Sequence, residues 1–165
     1  MKRMAMLGVF MLLALAARAA DTNFAGTWEF DKDKSTLPGQ GRGAPTSWTV
    51  TQDAKTITVE SKMTFNGNDR TVKNTFNLDG SETTADVTRG NNTGKNAMKA
   101  KWGEGNKTLE TTTVYTGKRG DQDVTNTTTD KWELSADGKV LTVTRKREGG
   151  GGGGGGESKY VFNKK

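Results

Sequence analysis

Apolar and polar residues alternate with a period of two in short runs along most of the chain after residue 20. Such alternation is typical of half-buried β-strands, and no window shows the sustained period of 3.6 residues that an amphipathic helix requires. The pattern predicts ten strands, A to J, over 24–30, 47–52, 56–63, 70–78, 82–88, 96–102, 107–116, 124–134, 139–147 and 159–163. We therefore predict an all-β fold without substantial helix.

The connections between these strands alternate in character. Those at 53–55, 79–81, 103–106 and 135–138 are short and carry the Gly and Asp residues of hairpin turns. The intervening connections are looser, and we expect two of them, 31–46 and 148–158, to be flexible loops. In an up-and-down meander every second connection lies at the same end. The order predicts an antiparallel up-and-down β-barrel of about eight to ten strands, in which A pairs with J, with a closed end and an open end.

The first nineteen residues have the features of a signal peptide. Lys2 and Arg3 form a positive n-region, an apolar run covers 6–17, and 17–19 reads Ala-Arg-Ala, an A-x-A cleavage site. The run is short for a membrane span, and an uncleaved anchor is the alternative. We expect an exported protein, periplasmic or secreted, whose mature part 20–165 is one soluble domain with no membrane anchor.

Composition narrows the chemistry available to the mature chain. It has no Cys and no His, which excludes the usual zinc sites, thiol nucleophiles and Ser-His-Asp triads. Removing the signal peptide leaves 22 of the 25 basic residues and all 19 acidic residues, a net charge of +3. That charge is too small to indicate a nucleic-acid partner. We expect a monomer with no metal and no cofactor.

The first predicted strand carries a short motif. Residues 24–30 read Phe-Ala-Gly-Thr-Trp-Glu-Phe, and their G-x-W, Gly26 to Trp28, resembles the first strand of the lipocalin and fatty-acid-binding protein group, the calycins. In that group the motif lies at the closed end of the barrel. The resemblance implies a calycin-like barrel in which Phe24, Gly26 and Trp28 are structural residues of the closed end.

A longer resemblance is to exported, uncharacterised bacterial lipocalin-like proteins. It rests on Asp31-x-x-Lys34-Ser35 and on the run from Lys131 to Val143, which includes Trp132, Asp137 and Gly138. The chain departs from the calycins in other places. Segment 31–46 is too rich in Gly and Pro for the helices that fatty-acid-binding proteins insert there, and the lipocalin disulfide and C-terminal helix are missing.

Strands H and I supply the candidate site. A turn at 135–138 would set Trp132 opposite Leu141, with Trp132, Leu141 and Val143 facing inward. By period two, the inward positions nearer the open end are then polar, and they comprise Asn126, Thr128, Asp130, Arg145 and Arg147. An arginine fork suits a carboxylate or phosphate, and interior arginines hold the ligand carboxylate in the fatty-acid-binding group. Two alternatives remain: the arginines meet water at the rim, or Arg145 pairs structurally with Asp130.

The other mature arginines, Arg42, Arg70, Arg89 and Arg119, also lie in or next to open-end connections and would form a basic rim. Such a rim attracts anions, although it also serves solubility.

Two functions fit this pattern. The first is an exported lipocalin-like barrel that binds a small amphipathic or anionic molecule at its arginine-rich end. The second is a filled barrel that acts as a structural or interaction protein of the cell envelope or secretome, with no small-molecule ligand. We do not expect an enzyme, because only Asp130 among the acidic residues is clearly predicted to face inward, and no second carboxylate is placed near it.

Overall fold

The computed structural model describes residues 21–38, 44–65, 67–89, 92–149 and 156–165. These residues form ten strands and a single-turn 3-10 helix, Glu104–Asn106. The strands are β1 (Gly26–Phe30), β2 (Ser47–Gln52), β3 (Thr56–Phe65), β4 (Asn68–Asn77), β5 (Thr83–Arg89), β6 (Asn92–Trp102), β7 (Thr108–Arg119), β8 (Gln122–Leu134), β9 (Val140–Gly149) and β10 (Gly156–Lys164). The all-β prediction is confirmed. The predicted signal peptide lies outside the described residues.

The strands form one antiparallel sheet that curls into a nearly closed barrel. Their order is β4-β3-β2-β1-β10-β9-β8-β7-β6-β5, so nearly every strand pairs with its sequence neighbours. The predicted pairing of the first and last strands is confirmed, with Trp28 opposite Lys164 and Phe30 opposite Phe162. This pairing removes two sheet edges that would otherwise be exposed.

The barrel is interrupted between β4 and β5, which do not pair. The prediction of a hairpin there is wrong. The turn is held locally, because Ser81 donates both its backbone N–H and its hydroxyl to the Asp79 carboxylate. Beyond the turn, the Thr83 hydroxyl donates to the Thr75 carbonyl at 2.6 Å. A side chain thus links two strands that no backbone ladder joins.

The predicted contrast between short closed-end and long open-end connections is wrong for three of the five open-end connections. The strands extend farther toward the open end than their apolar alternation indicates, and only two residues separate β3 from β4, β5 from β6, and β7 from β8. The ladder between β7 and β8 continues to Arg119 opposite Gln122. Backbone pairing needs no apolar side chains, so it continues after the sequence pattern has ended. The predicted loop 148–158 is correspondingly shorter, because β9 reaches Gly149 and β10 begins at Gly156.

One end of the barrel is closed by the segment before β1. This closed end carries the connections 53–55, 78–82, 103–107 and 135–139, and we call the opposite end the open end. On the far wall, the Asn106 carbonyl accepts a hydrogen bond from the Thr22 N–H at 3.0 Å. On the near wall, the Gln52 side chain donates to the Thr22 carbonyl and accepts from the Phe24 N–H. The segment therefore crosses the floor of the barrel.

The G-x-W residues anchor this crossing. Phe24 and Trp28 are fully buried, and the Trp28 indole N–H donates to the Phe24 carbonyl at 3.0 Å. The Lys164 ammonium lies 5.2 Å from the centre of the Trp28 ring, and a Cβ at Gly26 would come within 2.9 Å of the Lys164 side chain. The predicted closed-end role of Phe24, Gly26 and Trp28 agrees with this packing.

Aromatic rings from opposite walls meet above that floor. Phe24 contacts Trp102 and Trp132 with ring centres 6.2 and 5.8 Å apart. Trp48 of β2 lies 5.0 Å from Trp132 of β8 and 4.5 Å from Phe162. Because β2 and β8 are on different sides of the barrel, these contacts fill the closed-end half from wall to wall.

The Asp31-x-x-Lys34-Ser35 motif fastens the chain after β1 to the edge of β10. The Asp31 carboxylate accepts hydrogen bonds from the Lys34 backbone N–H and from the Asn163 amide, and it forms an ion pair with the Lys34 ammonium at 2.9 Å. The Ser35 hydroxyl donates to the Asp31 carbonyl and accepts from the Val161 N–H. This turn covers the outward side chain of Val161, which is buried.

The Asp31 turn should loosen in acid. The side-chain hydrogen bond from Lys34, followed by that from Asn163, lowers the pKa of Asp31 from 3.8 to about 2. A carboxyl whose pKa is lowered by folding stabilises the fold above its unfolded pKa, and the contribution is lost as the pH falls from about 4 to about 2. Thermal melts across this range should show a steeper loss for the wild type than for Asp31→Asn. Parallel pH profiles would contradict this role.

Residues 149–156 are eight consecutive glycines, and the fold requires a glycine at the first of these positions, Gly149. Gly149 has φ of +121°, and a Cβ there would lie 2.4 Å from the Thr125 carbonyl oxygen of β8. At Gly156 a Cβ would meet nothing within 4 Å. We expect Gly149→Ala to lower the free energy of unfolding by about 1–3 kcal/mol and Gly156→Ala to change it by less than about 0.5 kcal/mol, measured by urea denaturation. Equal effects would contradict the assignment.

Candidate functional site

The inner wall from β6 to β9 changes from apolar to polar in successive rows. Nearest the closed end, Trp102, Leu109, Trp132 and Val143 form one row across these strands. The next row is Ala100, Thr111, Asp130 and Arg145, and the third is Met98, Thr113, Thr128 and Arg147. The predicted change from apolar to polar side chains toward the open end is therefore present, and the first polar side chains lie one row above the tryptophans.

The register between β8 and β9 differs from the prediction by two residues. Trp132 lies opposite Val143 and not Leu141, and Asp130 lies opposite Arg145 and not Val143. Leu134 lies opposite Leu141 and not Lys139 as predicted. Within the turn, the Ser135 N–H donates to the Val140 carbonyl at 2.9 Å. A slip of two leaves every side chain on its predicted face, so the inward set survives while its pairings change.

The new register brings Asp130 and Arg145 together. The Arg145 guanidinium donates from Nε to Oδ1 and from Nη2 to Oδ2 of Asp130, each at 2.7 Å. The two side chains retain only 18% and 12% of their exposure. The Arg145 guanidinium also lies 4.9 Å from the centre of the Tyr160 ring on β10. The alternative of a structural Asp130–Arg145 pair is therefore the one the structure adopts.

Electrostatics hold Arg145 in its charged form. Burial by itself lowers the pKa of Arg145, but the negative charge and hydrogen bonds of Asp130, with a smaller contribution from Tyr160, outweigh it and raise the pKa above its ordinary value. The guanidinium is thus permanently charged, and its charge is matched by Asp130. The two parallel hydrogen bonds of this pair fix the orientation of both side chains at the boundary between the apolar and polar rows.

The remaining predicted residues lie closer to the open end. Arg147 is exposed and lies opposite Thr128, whereas Asn126 lies opposite Gly149 and not Arg147 as predicted. Thr128 and Asn126 are half-buried. Arg147 therefore lies one row above the Asp130–Arg145 pair and, unlike Arg145, has its side chain in solvent.

The structure describes the backbone of three of the four predicted rim arginines. Arg70 in β4 is exposed, and its Nη2 lies 3.5 Å from the Thr88 carbonyl across the gap between β4 and β5. Arg89 and Arg119 are the last residues of β5 and β7, at the open end. Arg42 lies outside the described residues.

Two inward-facing threonines above the charge pair are partly exposed. Thr113 and Thr128 face inward on β7 and β8, and both strands are paired on either side. Both side chains nevertheless remain half-buried, whereas Leu109 and Trp132 one level below the pair are at most 1% exposed. The inner wall thus has a buried base below the charge pair and partly exposed threonines above it. We call the part of the interior between the charge pair and the open end the cup.

Two residues of the cup, Asn96 and Tyr115, and Tyr160 one row below the charge pair were not predicted as site residues from the sequence. The alternation in strand F predicts that Asn96 lies on the same face as Met98 and Ala100, so the sequence alone indicates an inward-facing side chain. Tyr115 lies over glycines of two strands, because a Cβ at Gly94 or Gly117 would come within 2.6 Å of its ring or hydroxyl. That arrangement depends on pairing between strands and has no local signal.

One buried carboxylate lies at the floor of the cup. Asp130 is the one buried carboxylate in the described part of the chain, and Arg145 neutralises it. Across the described ranges, no group of three or more acidic, His or Cys side chains is placed to hold a metal ion. The same residues include no helix long and apolar enough to cross a bilayer.

Comparisons with known proteins agree on the fold alone. A solved structure of a secretary abundant heat soluble (SAHS) protein from Ramazzottius varieornatus superposes with a TM-score of 0.52 and 13% sequence identity, covering 90% of this chain and 100% of that one. At this identity the likeness concerns the fold alone, the nearly closed antiparallel β-barrel described above. No family model matches the sequence, and no curated protein is similar to it.

The Asp130–Arg145 pair should be strongly coupled. Arg145→Met alone leaves a buried carboxylate without its partner and should cost about 3–5 kcal/mol of unfolding free energy. Asp130→Leu with Arg145→Met should recover most of that loss, because it removes both charges. The exposed pair Lys146–Glu148 on the outer face of β9 is the control, and its own double-mutant cycle should give a much smaller coupling. Additive effects at 130 and 145 would contradict a buried pair.

Proposed function

We propose that this protein is an exported lipocalin-like barrel that binds a small amphipathic or anionic molecule in the cup at its open end. The observation that carries the proposal is the partial exposure of inward-facing Thr113 and Thr128 above a filled base. A solvent-accessible, polar-lined recess in a barrel is a common form of small-molecule site. The binding region is shallow, since the tryptophans occupy the lower half.

Within this proposal the two inner arginines have different tasks. Arg145 is bound to Asp130 through both oxygens, so it forms the floor of the cup and contributes little net charge. Arg147, exposed and one row higher, is the residue we assign to an anionic head group, together with Thr128 and Asn126. Arg70, Arg89 and Arg119 add positive charge around the same end and would favour the approach of anions.

Export and the absence of catalysis are parts of the same proposal. The n-region, apolar run and Ala-Arg-Ala site support secretion to the periplasm or beyond, followed by a soluble monomer. The resemblance to exported bacterial lipocalin-like proteins supports the same assignment. Its two motifs lie in the Asp31 turn and the β8–β9 hairpin, which are structural elements, so they give no indication of an activity.

A second function is favoured by one observation, the wall-to-wall aromatic contacts around Trp48 and Trp132. A barrel filled in this way is stable without a ligand. It would then act as a structural or interaction protein of the cell envelope or secretome. The two functions differ in whether the cup is occupied when the protein is isolated from its own host.

Native mass spectrometry of the protein purified from its host should detect a retained small molecule. We expect Arg147→Ala to reduce its occupancy by about tenfold, because one charge-assisted hydrogen-bonding group contributes about 1.5–3 kcal/mol. Lys146→Ala is the matched control, since it removes the same charge from the adjacent, outward-facing position of β9. An empty wild-type barrel would favour the filled-barrel function.

A further inference from the structure

We propose that Asn96 provides a second, neutral subsite in the cup, which accepts a hydrogen bond from a ligand hydroxyl group. The inference rests on the proposed function, because it concerns the chemistry of the same ligand. If Asn96 binds in this way, the ligand of the proposed function is an amphipathic molecule that carries a hydroxyl group, whether or not it also carries a negative charge.

Asn96 is placed on the inner wall by its register. It lies in β6 opposite Ala85 of β5 and Tyr115 of β7, on the same face as the buried side chains of Met98 and Ala100. This is the row directly above Met98, Thr113, Thr128 and Arg147. The subsite is therefore inside the barrel on the open-end side of the charge pair.

The carboxamide oxygen of Asn96 has no hydrogen-bond partner among the described residues. The residue is 6% exposed, and its Oδ1 is buried without a hydrogen bond in the structure. Leaving a buried carbonyl unsatisfied is unfavourable, and such groups are generally paired in folded proteins. Each of the other buried polar side chains, Thr111, Asp130 and Ser158, lies on the same inner wall, and two of them are bonded to Trp132 and Arg145. Asn96 Oδ1 can therefore accept a hydrogen bond that the described residues do not supply.

The neighbours of Asn96 on the inner wall are uncharged and suit a neutral group. Ala85, Met98 and the ring of Tyr115 surround it by register and alternation, and none of them carries a charge. In the same row, Asn126 of β8 lies opposite Tyr115 and adds a second carboxamide. A hydroxyl donates to a carboxamide oxygen and accepts from a carboxamide N–H, so its chemistry matches this row.

The test uses three probes with one decyl chain, namely 1-decanol, methyl decyl ether and decanoate. Decanol and the ether differ in a single hydrogen-bond donor, and decanoate reports on Arg147. We expect the wild type to bind decanol about tenfold more tightly than the ether, measured by displacement of a fluorescent probe. Asn96→Leu should abolish that preference. Asn77→Leu, the same substitution in the turn region at the closed end, should preserve it.

Stability provides a readout that does not need a ligand. Replacing an unsatisfied carboxamide by an apolar side chain of similar size should raise the melting temperature of the empty protein by a few degrees. If Asn96→Leu does not accumulate in folded form, Asn96→Ala serves for the binding comparison.

The outcomes separate the two proposals. If decanoate binds through Arg147 but the wild type binds decanol and the ether equally, the Asn96 subsite is overturned and the proposed function stands. The same holds if Asn96→Leu is stabilised but keeps the preference, since an ordered water would then satisfy Oδ1. If none of the three probes binds the wild type, the proposed function fails together with the subsite.

Discussion

The contact between Trp48 and Trp132 is the interaction on which the rest of the structure depends. Their rings, 5.0 Å apart, join β2 to β8 across the interior, and Phe24 and Phe162 extend the contact to the floor and to β10. Aromatic side chains bury large areas, which matters in a chain with only 31% hydrophobic residues. These rings thus add to a small set of buried aliphatic side chains, which includes Ile57, Leu109 and Leu141.

The filled base also determines where function can reside. Above it, Asp130 and Arg145 neutralise each other and form a polar boundary, and Tyr160 covers the guanidinium. In the row beyond this boundary Thr113 and Thr128 are partly exposed and Arg147 is exposed. The charge pair thus separates buried apolar rows from the polar rows of the cup.

Much of the fold was predictable because strand alternation records which face of each strand is buried. Ten strands, the pairing of the first with the last, and the inward positions of Asp130 and Arg145 all follow from it. The same period of two cannot detect a slip of two residues, so the partners across β8 and β9 were misassigned. Because the predicted register set Asp130 opposite Val143, the pairing of Arg145 with Asp130 was only one of the alternatives, and Arg145 was kept as a candidate ligand-binding residue.

Other features had no local signal. Strand ends without apolar residues are continued by backbone pairing, so the open-end connections are shorter than the sequence suggested. The gap between β4 and β5 arises where a turn is closed by Asp79 and Ser81 without a ladder behind it. The unused acceptor of Asn96 becomes apparent only when the hydrogen bonds of its whole surroundings are known.

A high-resolution crystal structure of the mature protein, with its ordered water, tests the central claim most directly. The account predicts water or a bound molecule beside Thr113, Thr128 and Asn96 Oδ1, and none between Trp48 and Trp132. Water or ligand density between the two tryptophans, or an upper half filled by protein side chains, would contradict a shallow cup over a filled base.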